Sequence, residues 1–391
     1  MTGRAAGAQA LLPFQSLMRW AGGQARRDPR APASGAEASP TTGSGGQLAS
    51  APPLPGHGAG PQRLALYQRP GSVVLLDDAP DYLEMLADSL PRHWNVEAFL
   101  SPESFVNYLQ QEPPRWEADF WNQQKIVEAW HRGTPLIPQI LSYWAANPER
   151  FALTKVCVVD QLMPGMTGLQ ALDELVDWPG QRILLTGAFD EGLATQAFNR
   201  GQIEQFLAKQ TERLASHLAA AIDMLMCRPN GRFHQIWAAT LSPRQSAILR
   251  DPQVADDLAR FAGTSFVEWV VIGDPFGILG VSETGEPTWL QLEPTAGLGE
   301  LARWAADRGV GPEDVRQIQG GHCVYDRDLG LAMPQARPLS VTPAFAIGDA
   351  GTLLAAIHRI DDAVAAPAAL SYREWLAGKA RRRSGRRNTW A

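Results

Sequence analysis

The sequence predicts an α/β protein: a doubly wound, parallel five-stranded sheet with a helical insertion, followed by a separate α+β domain. Three observations predict it. Between residues 72 and 226, short apolar runs alternate with segments of helical spacing, the pattern of strands joined by right-handed helical crossovers. About 40 residues, Gln111 to Arg150, interrupt that rhythm with helical patterning of their own. After Pro229 the pattern changes to apolar strands joined by tight turns, as in an antiparallel meander.

Taken in order, residues 1 to about 70 are rich in Ala, Gly, Pro, Ser and Arg and carry almost no periodic apolar pattern. Stretches such as Ala31–Gly46 bury too little surface to offset the entropy of ordering, so disorder is expected there. Leu11–Trp20 could support a helical turn or two. Val73–Leu76 is a continuous apolar run ending in acids, which reads as a strand buried on both faces. Pro80–Leu90 spaces Leu83, Leu86 and Leu90 as a helix does; Asn95–Phe99 reads as a strand and Pro102–Gln110 as a helix. The insertion reads as two helices, Glu117–Arg132 and Leu136–Ala146. Four of the chain's 13 tryptophans, Trp116, Trp121, Trp130 and Trp144, fall in it. They are expected to cover apolar surface, either that of the parallel-sheet core or that of a partner or second copy. Strands follow at Lys155–Val159, Arg182–Leu185 and Ile203–Ala208, and helices at Thr167–Val176, Leu193–Arg200 and Glu212–Leu225. In the last domain, 230–376, a helix is expected over Pro252–Phe261, then strands at Phe266–Ile272, Phe276–Val281 and Thr288–Leu292. Helices are expected at Leu298–Arg308, Pro312–Gln319 and Ala350–Val364, and residues 377–391 read as a basic, disordered tail.

Composition sets bounds on function. Cys157, Cys227 and Cys323 lie far apart, which argues against a disulfide framework and for a reducing cytoplasm. No apolar run approaches the length of a bilayer span, and no secretory core follows Arg4, so no membrane partner is expected. Lys379–Arg387 holds six basic residues and no acids; with those set aside, the formal charge of −6 becomes −12. A body that acidic is a poor general binder of nucleic acid.

Chemistry concentrates at the ends of the parallel strands. Asp77 and Asp78 end the first, Asp160 the third, Thr186 the fourth and Lys209 the fifth. In an open parallel sheet these carboxyl ends share one crevice. Three clustered carboxylates call for a cation, and an oxygen-only site favours Mg²⁺. Lys209 and the Thr186 hydroxyl can hold an incoming anion, an inventory suited to phosphoryl transfer.

The runs Val73–Asp78, Val158–Gly168, Leu184–Gly187 and Phe206–Lys209 resemble, in order, the receiver domain of two-component response regulators, over roughly residues 71–226. The resemblance implies a flavodoxin-like fold of the CheY-like superfamily. It implies that Asp160 takes a phosphoryl group from a histidine kinase or phosphotransfer protein. It also implies that Mg²⁺ is held by Asp77, Asp78, Asp160 and the Leu162 backbone carbonyl, with Thr186 and Lys209 on the phosphoryl oxygens. Phe206 stands where the family has its aromatic switch, moving together with Thr186. Three departures stand out. Asp160 lies 82 positions after Asp78, about twice the family's interval, which spares the site if the insertion leaves from the far end of the sheet. Gln210 replaces the proline that usually follows the lysine. Leu162 and Ala188 are apolar where the family is often polar, which would make a drier approach.

Leu241–Gln245 resembles the opening of a LuxR-type helix-turn-helix, but Arg250-Asp251-Pro252 breaks the continuation, so DNA binding is not expected. Gly320-Gly321-His322-Cys323 lacks a second ligand pair for a metal. The closing Ser371–Leu376 resembles an uncharacterised module found behind receivers, to which no activity attaches. The expectation is a cytoplasmic phosphorelay protein, not itself an enzyme beyond its own phosphorylation, that signals through a downstream protein partner or a homodimer. A receiver regulating a catalytic C-terminal domain is the alternative.

Overall fold

A computed structural model describes residues 64–187, 191–333, 340–349, 351–360 and 367–387. Leu11–Trp20, Ala31–Gly46 and Ala188 lie outside them. The parallel sheet comprises β2 (Ser72–Leu76), β3 (Asn95–Phe99), β4 (Thr154–Asp160), β5 (Gln181–Thr186) and β6 (Gln205–Ala208), after a short β1 at Tyr67–Gln68. Its order is β3-β2-β4-β5-β6, and each neighbouring pair is parallel. Side chains alternate across it as the pleat requires. Val73, Leu75, Val156 and Val158 face α1 (Pro80–Ser89) and a helix at Leu214–Met226, whereas Val74, Leu76, Cys157 and Val159 face α2 (Pro102–Leu109) and its neighbours. Helices on both faces make it doubly wound.

The insertion forms α3 (Pro113–His131) and α4 (Leu136–Ala146). It leaves from the amino-terminal end of β4, opposite the strand ends that carry the acids. The buried residues of its helices do not join the parallel-sheet core. Trp116, Phe120, Ile137, Ile140 and Trp144 join one apolar cluster with Phe233, Leu258 and Val271 of the C-terminal domain. The expected packing on the parallel-sheet core is thus corrected: the insertion is a wall of the following domain. Trp116 and Trp144 are buried there, and Trp130 packs against the cluster while its indole donates to Asp274 at 3.1 Å. Trp121 joins no cluster and is 53% exposed.

The parallel-sheet unit closes with α5 (Gly168–Asp173), α6 (Glu191–Asn199) and α7 (Leu214–Met226). The C-terminal unit begins with α8 (Gly231–Ala238), α9 (Pro243–Leu249) and α10 (Pro252–Ser265). Ser242 and Gln245 form a capping box on α9, and α10 turns Val254, Leu258 and Phe261 into the core, so the pair is committed to packing. The meander is β7 (Glu268–Gly273), β8 (Phe276–Val281) and β9 (Pro287–Pro294). Helices α11 (Leu298–Asp307) and α12 (Pro312–Gln319) follow as expected.

Three expectations are corrected. Residues 353–359, expected to be helical, form strand β13 (Leu353–Arg359), preceded by the short strands β10 (Cys323–Tyr325), β11 (Val341–Pro343) and β12 (Phe345–Ile347). The sheet is β1-β7-β8-β9-β13-β12, with Leu353 and Ala355 facing the insertion side and Leu354 and Ala356 facing α11 and α12. A strand buried on both faces has no polar alternation, and Leu-Leu-Ala-Ala then reads as helix. Leu64–Gln68, expected to be disordered, is buried, and β1 pairs with β7 about 200 residues away. The tail, expected to be disordered from 377, continues a helix from Tyr372 to Arg387. Phe151 packs against Tyr372 and Trp375 at its start, and Lys379 reaches Glu149 at 2.9 Å. No helix among the described residues is long and apolar enough to cross a membrane.

Candidate functional site

The parallel register brings the polar strand ends together. β2 carries Asp77 and Asp78 just past its last residue, and the β2–β4 pairing sets Leu76 beside Val159, one residue before Asp160. The β5–β6 pairing sets Thr186 beside Ala208, so Lys209 follows next to it, and the Lys209 amide donates to the Thr186 carbonyl at 2.7 Å. Asp77 and Asp160 are buried and Asp78 is exposed. Carboxylate oxygens from all three lie within 4.8 Å of one another.

Lys209 Nζ supplies the compensating charge, 2.7 Å from Asp77 Oδ2 and 3.0 Å from Asp160 Oδ2. Burial alone would lower its pKa, but the two carboxylates outweigh it and hold the ammonium above its ordinary value. Asp160 moves upward, because burial outweighs Lys209. Asp77 Oδ1 accepts the Ala79 amide at 3.0 Å, whereas Asp160 Oδ1 is buried with no hydrogen-bond partner among the described residues. That oxygen and the exposed Asp78 face an oxygen-rich cluster holding more negative than positive charge, a donor set that fits a hard divalent cation.

Thr186 is buried at the edge of this crevice. Phe206 is half-buried and packs on the α2, α5 and α6 side of the sheet. Leu162, two residues past Asp160, turns its side chain to solvent, 60% exposed. Every site residue named from the sequence therefore stands at or beside this one end of the sheet.

Three contributors were not foreseen. Tyr82, one turn into α1, places its ring 4.6 Å from Lys209 Nζ, and burial raises its phenol pKa. Gln161 folds the loop after β4: its amide donates to the Leu185 carbonyl at 2.7 Å, and its own carbonyl accepts the Gly168 amide at 3.0 Å. Gly168 approaches so closely that a Cβ there would lie 2.2 Å from the Asp160 carbonyl oxygen. Of these, only Gly168 left a trace in the sequence, as the glycine that closes the Met163–Gly168 turn.

A solved protein is similar in fold over most of the chain. The Legionella pneumophila response regulator LqsR superposes with a TM-score of 0.60 at 21% identity, covering 80% of this chain and 95% of that one. The chain has the receiver fold with a C-terminal domain attached. Shorter matches, to a Francisella response regulator receiver domain and to FixJ-N, cover 40% and 41% of this chain and 96% and 95% of theirs. Their identities are 11% and 20%, with TM-scores of 0.27 and 0.28. No protein-family profile matches the sequence, and no curated protein does.

Proposed function

We propose that the protein is a two-component response regulator that accepts a phosphoryl group on Asp160 from a histidine kinase or phosphotransfer protein. The observation that carries this reading is the cluster of Asp77, Asp78 and Asp160 with Lys209 paired to two of them, and a buried Asp160 oxygen without a partner among the described residues. In this reading an Asp160 oxygen attacks the phosphorus of a phosphohistidine, the N–P bond breaks, and an acyl phosphate forms. Asp77, Asp78, Asp160 and the Leu162 backbone carbonyl would hold Mg²⁺, which neutralises charge on the phosphoryl oxygens. Lys209 then leaves its two carboxylates for a phosphoryl oxygen, and the Thr186 hydroxyl donates to another. Phe206 follows Thr186 inward, converting a local charge into a change of surface. Readout is by contact with a protein partner or a second copy. The supports are an acidic body and the commitment of α9 and α10 to the core.

The test is incubation with Mg²⁺ and a phosphoramidate donor. One acid-labile and base-labile phosphate per chain is expected, and Asp160→Asn should abolish it. The same label persisting in Asp160→Asn would overturn the assignment.

A further inference from the structure

The Lys209 ammonium is held from two sides. Asp77 and Asp160 pair with it on one, and on the other it lies over the ring of Tyr82, 4.6 Å from the centroid. The start of α1 sets that ring in place. Asp77 Oδ1 accepts the Ala79 amide at 3.0 Å, and the Leu83 amide donates to the Ala79 carbonyl at 2.9 Å, which ties the first turn to the end of β2. Leu83 and Leu86 then turn into the core. Tyr82, beside Leu83 and one turn before Leu86, falls on the margin of that buried stripe and packs with Leu207 and Leu214 against the same core. Lys209 follows two residues after Leu207, so the two side chains meet between α1 and the end of β6.

The ring alone makes this contact. Tyr82 Oη is buried with no hydrogen-bond partner among the described residues, so the hydroxyl holds nothing in place. The π face attracts a cation, and here it adds to the pull of two carboxylates on the same ammonium. Those carboxylates belong to the set that fits a hard divalent ion. An ammonium 2.7 and 3.0 Å from two of the three repels any metal drawn to them. Whatever stabilises Lys209 there therefore weakens the metal by the same factor.

We propose that Tyr82 is a positioning residue whose ring latches the Lys209 ammonium onto Asp77 and Asp160, setting how readily Mg²⁺ enters and Lys209 is released to the phosphoryl group. This role rests on the reading of the cluster as a Mg²⁺ site. A merely structural role has the opposite sign: if Tyr82 only seated α1, its loss would displace Asp77 and Asp78 and weaken the metal.

The experiment is an NMR titration of the full chain carrying ¹³C at the lysine ε positions. The chain has four lysines, Lys125, Lys155, Lys209 and Lys379, and the Lys209 signal is assigned by its loss in Lys209→Arg. Without metal, its ε protons should be shielded by the ring, a displacement lost in Tyr82→Leu and kept in Tyr82→Phe. Lys379, over the Trp375 ring, is an internal reference that neither variant should move. Mg²⁺ should then shift the Lys209 signal saturably, with a Kd about fivefold lower in Tyr82→Leu, the equivalent of about 1 kcal/mol for a partly exposed cation over a ring. Tyr82→Phe, which retains the ring, should keep the parent Kd. Equal Kd values in the parent and Tyr82→Leu, or weaker binding in the latter, would overturn the latch alone. A Lys209 signal in the parent that ignores Mg²⁺ would remove the Mg²⁺ reading of the site and the latch with it.

Discussion

Replacing Arg150 with Met should cost about 3–5 kcal/mol, because it strands a carboxylate away from water. Arg150 sits in the short turn that returns the insertion to β4, and its Nε lies 2.8 Å from Glu268 Oε2 on β7, with side chains 1% and 0% exposed. The same guanidinium donates from Nη1 to the carbonyls of Trp144 at 2.6 Å and Asn147 at 3.1 Å, and covers the Phe151 ring at 4.0 Å. Glu268 would keep the Tyr67 hydroxyl, 3.3 Å from Oε1. For a slope of about 2–3 kcal/mol per molar urea, the midpoint should fall by about 1–2.5 M. Adding Glu268→Leu should restore most of the loss, since an apolar pair in place of a buried ion pair is close to neutral. Acidification gives an independent sign. Burial, more than Arg150 offsets, raises the Glu268 pKa above its ordinary value. Its contribution is therefore fully present below the unfolded value of about 4.5 and is lost as pH rises through the folded value. Arg150→Met raises that folded value further, so the variant's deficit against the parent should shrink toward pH 5 and widen at pH 7. Urea unfolding followed by tryptophan fluorescence, over all four chains of the cycle, measures this. A single-variant loss under about 1 kcal/mol, or a double variant with additive losses, would refute the buried-pair reasoning.

Three further outcomes follow from the same packing. Gly168→Ala puts a methyl against the Asp160 carbonyl and should displace the start of α5, slowing phosphorylation at least tenfold and costing about 1–3 kcal/mol; a normal rate would show that the turn yields freely. The depressed pKa of Lys155 means that the folded chain binds fewer protons than the unfolded one above about pH 7. Stability should therefore rise with pH from about 7 to 9 relative to Lys155→Met, in which Arg69, Cys227 and Glu268 still face the site; parallel pH profiles would contradict the assignment. Deleting Gln111–Arg150 with a short linker should yield insoluble protein, because it uncovers Phe233, Leu258 and Val271; a soluble, phosphorylatable monomer would show that the insertion is dispensable to the C-terminal core.

The receiver half was legible because its strands carry two signals at once. Val73–Leu76 and Val156–Val159 are continuous apolar runs, as burial on both faces demands, and each hands over to a carboxylate. Strand order then collects Asp77, Asp160, Thr186 and Lys209 without further information. What was illegible depends on partners distant in sequence. Tyr67–Gln68 is two residues long, and only its pairing with Val270 and Trp269 makes it a strand. The periodicity of α3 shows that one face is buried but not what buries it. Tyr82 looks like any other residue of an amphipathic helix until the fold sets Lys209 over its ring.

The path of the chain limits what a phosphoryl group at Asp160 could do. The backbone passes between the two sheets four times: after Gln68, after Leu109, after Ala146 and after Met226. The passages are tied by Trp116, Phe120 and Phe233 in one cluster and by the buried pair of Arg69 and Asp119. Those rings and that ion pair lie on the C-terminal side of the passages, where they hold the four connections side by side. Swinging the C-terminal domain away as a body would have to bend all four connections at once. What remains within reach is a local change along β5 and β6, where Phe206 is half-buried and the neighbouring Phe198 of α6 is 51% exposed. A partner or second copy reading that edge needs no domain movement, and the insertion that holds the two domains together is what makes this the cheaper route.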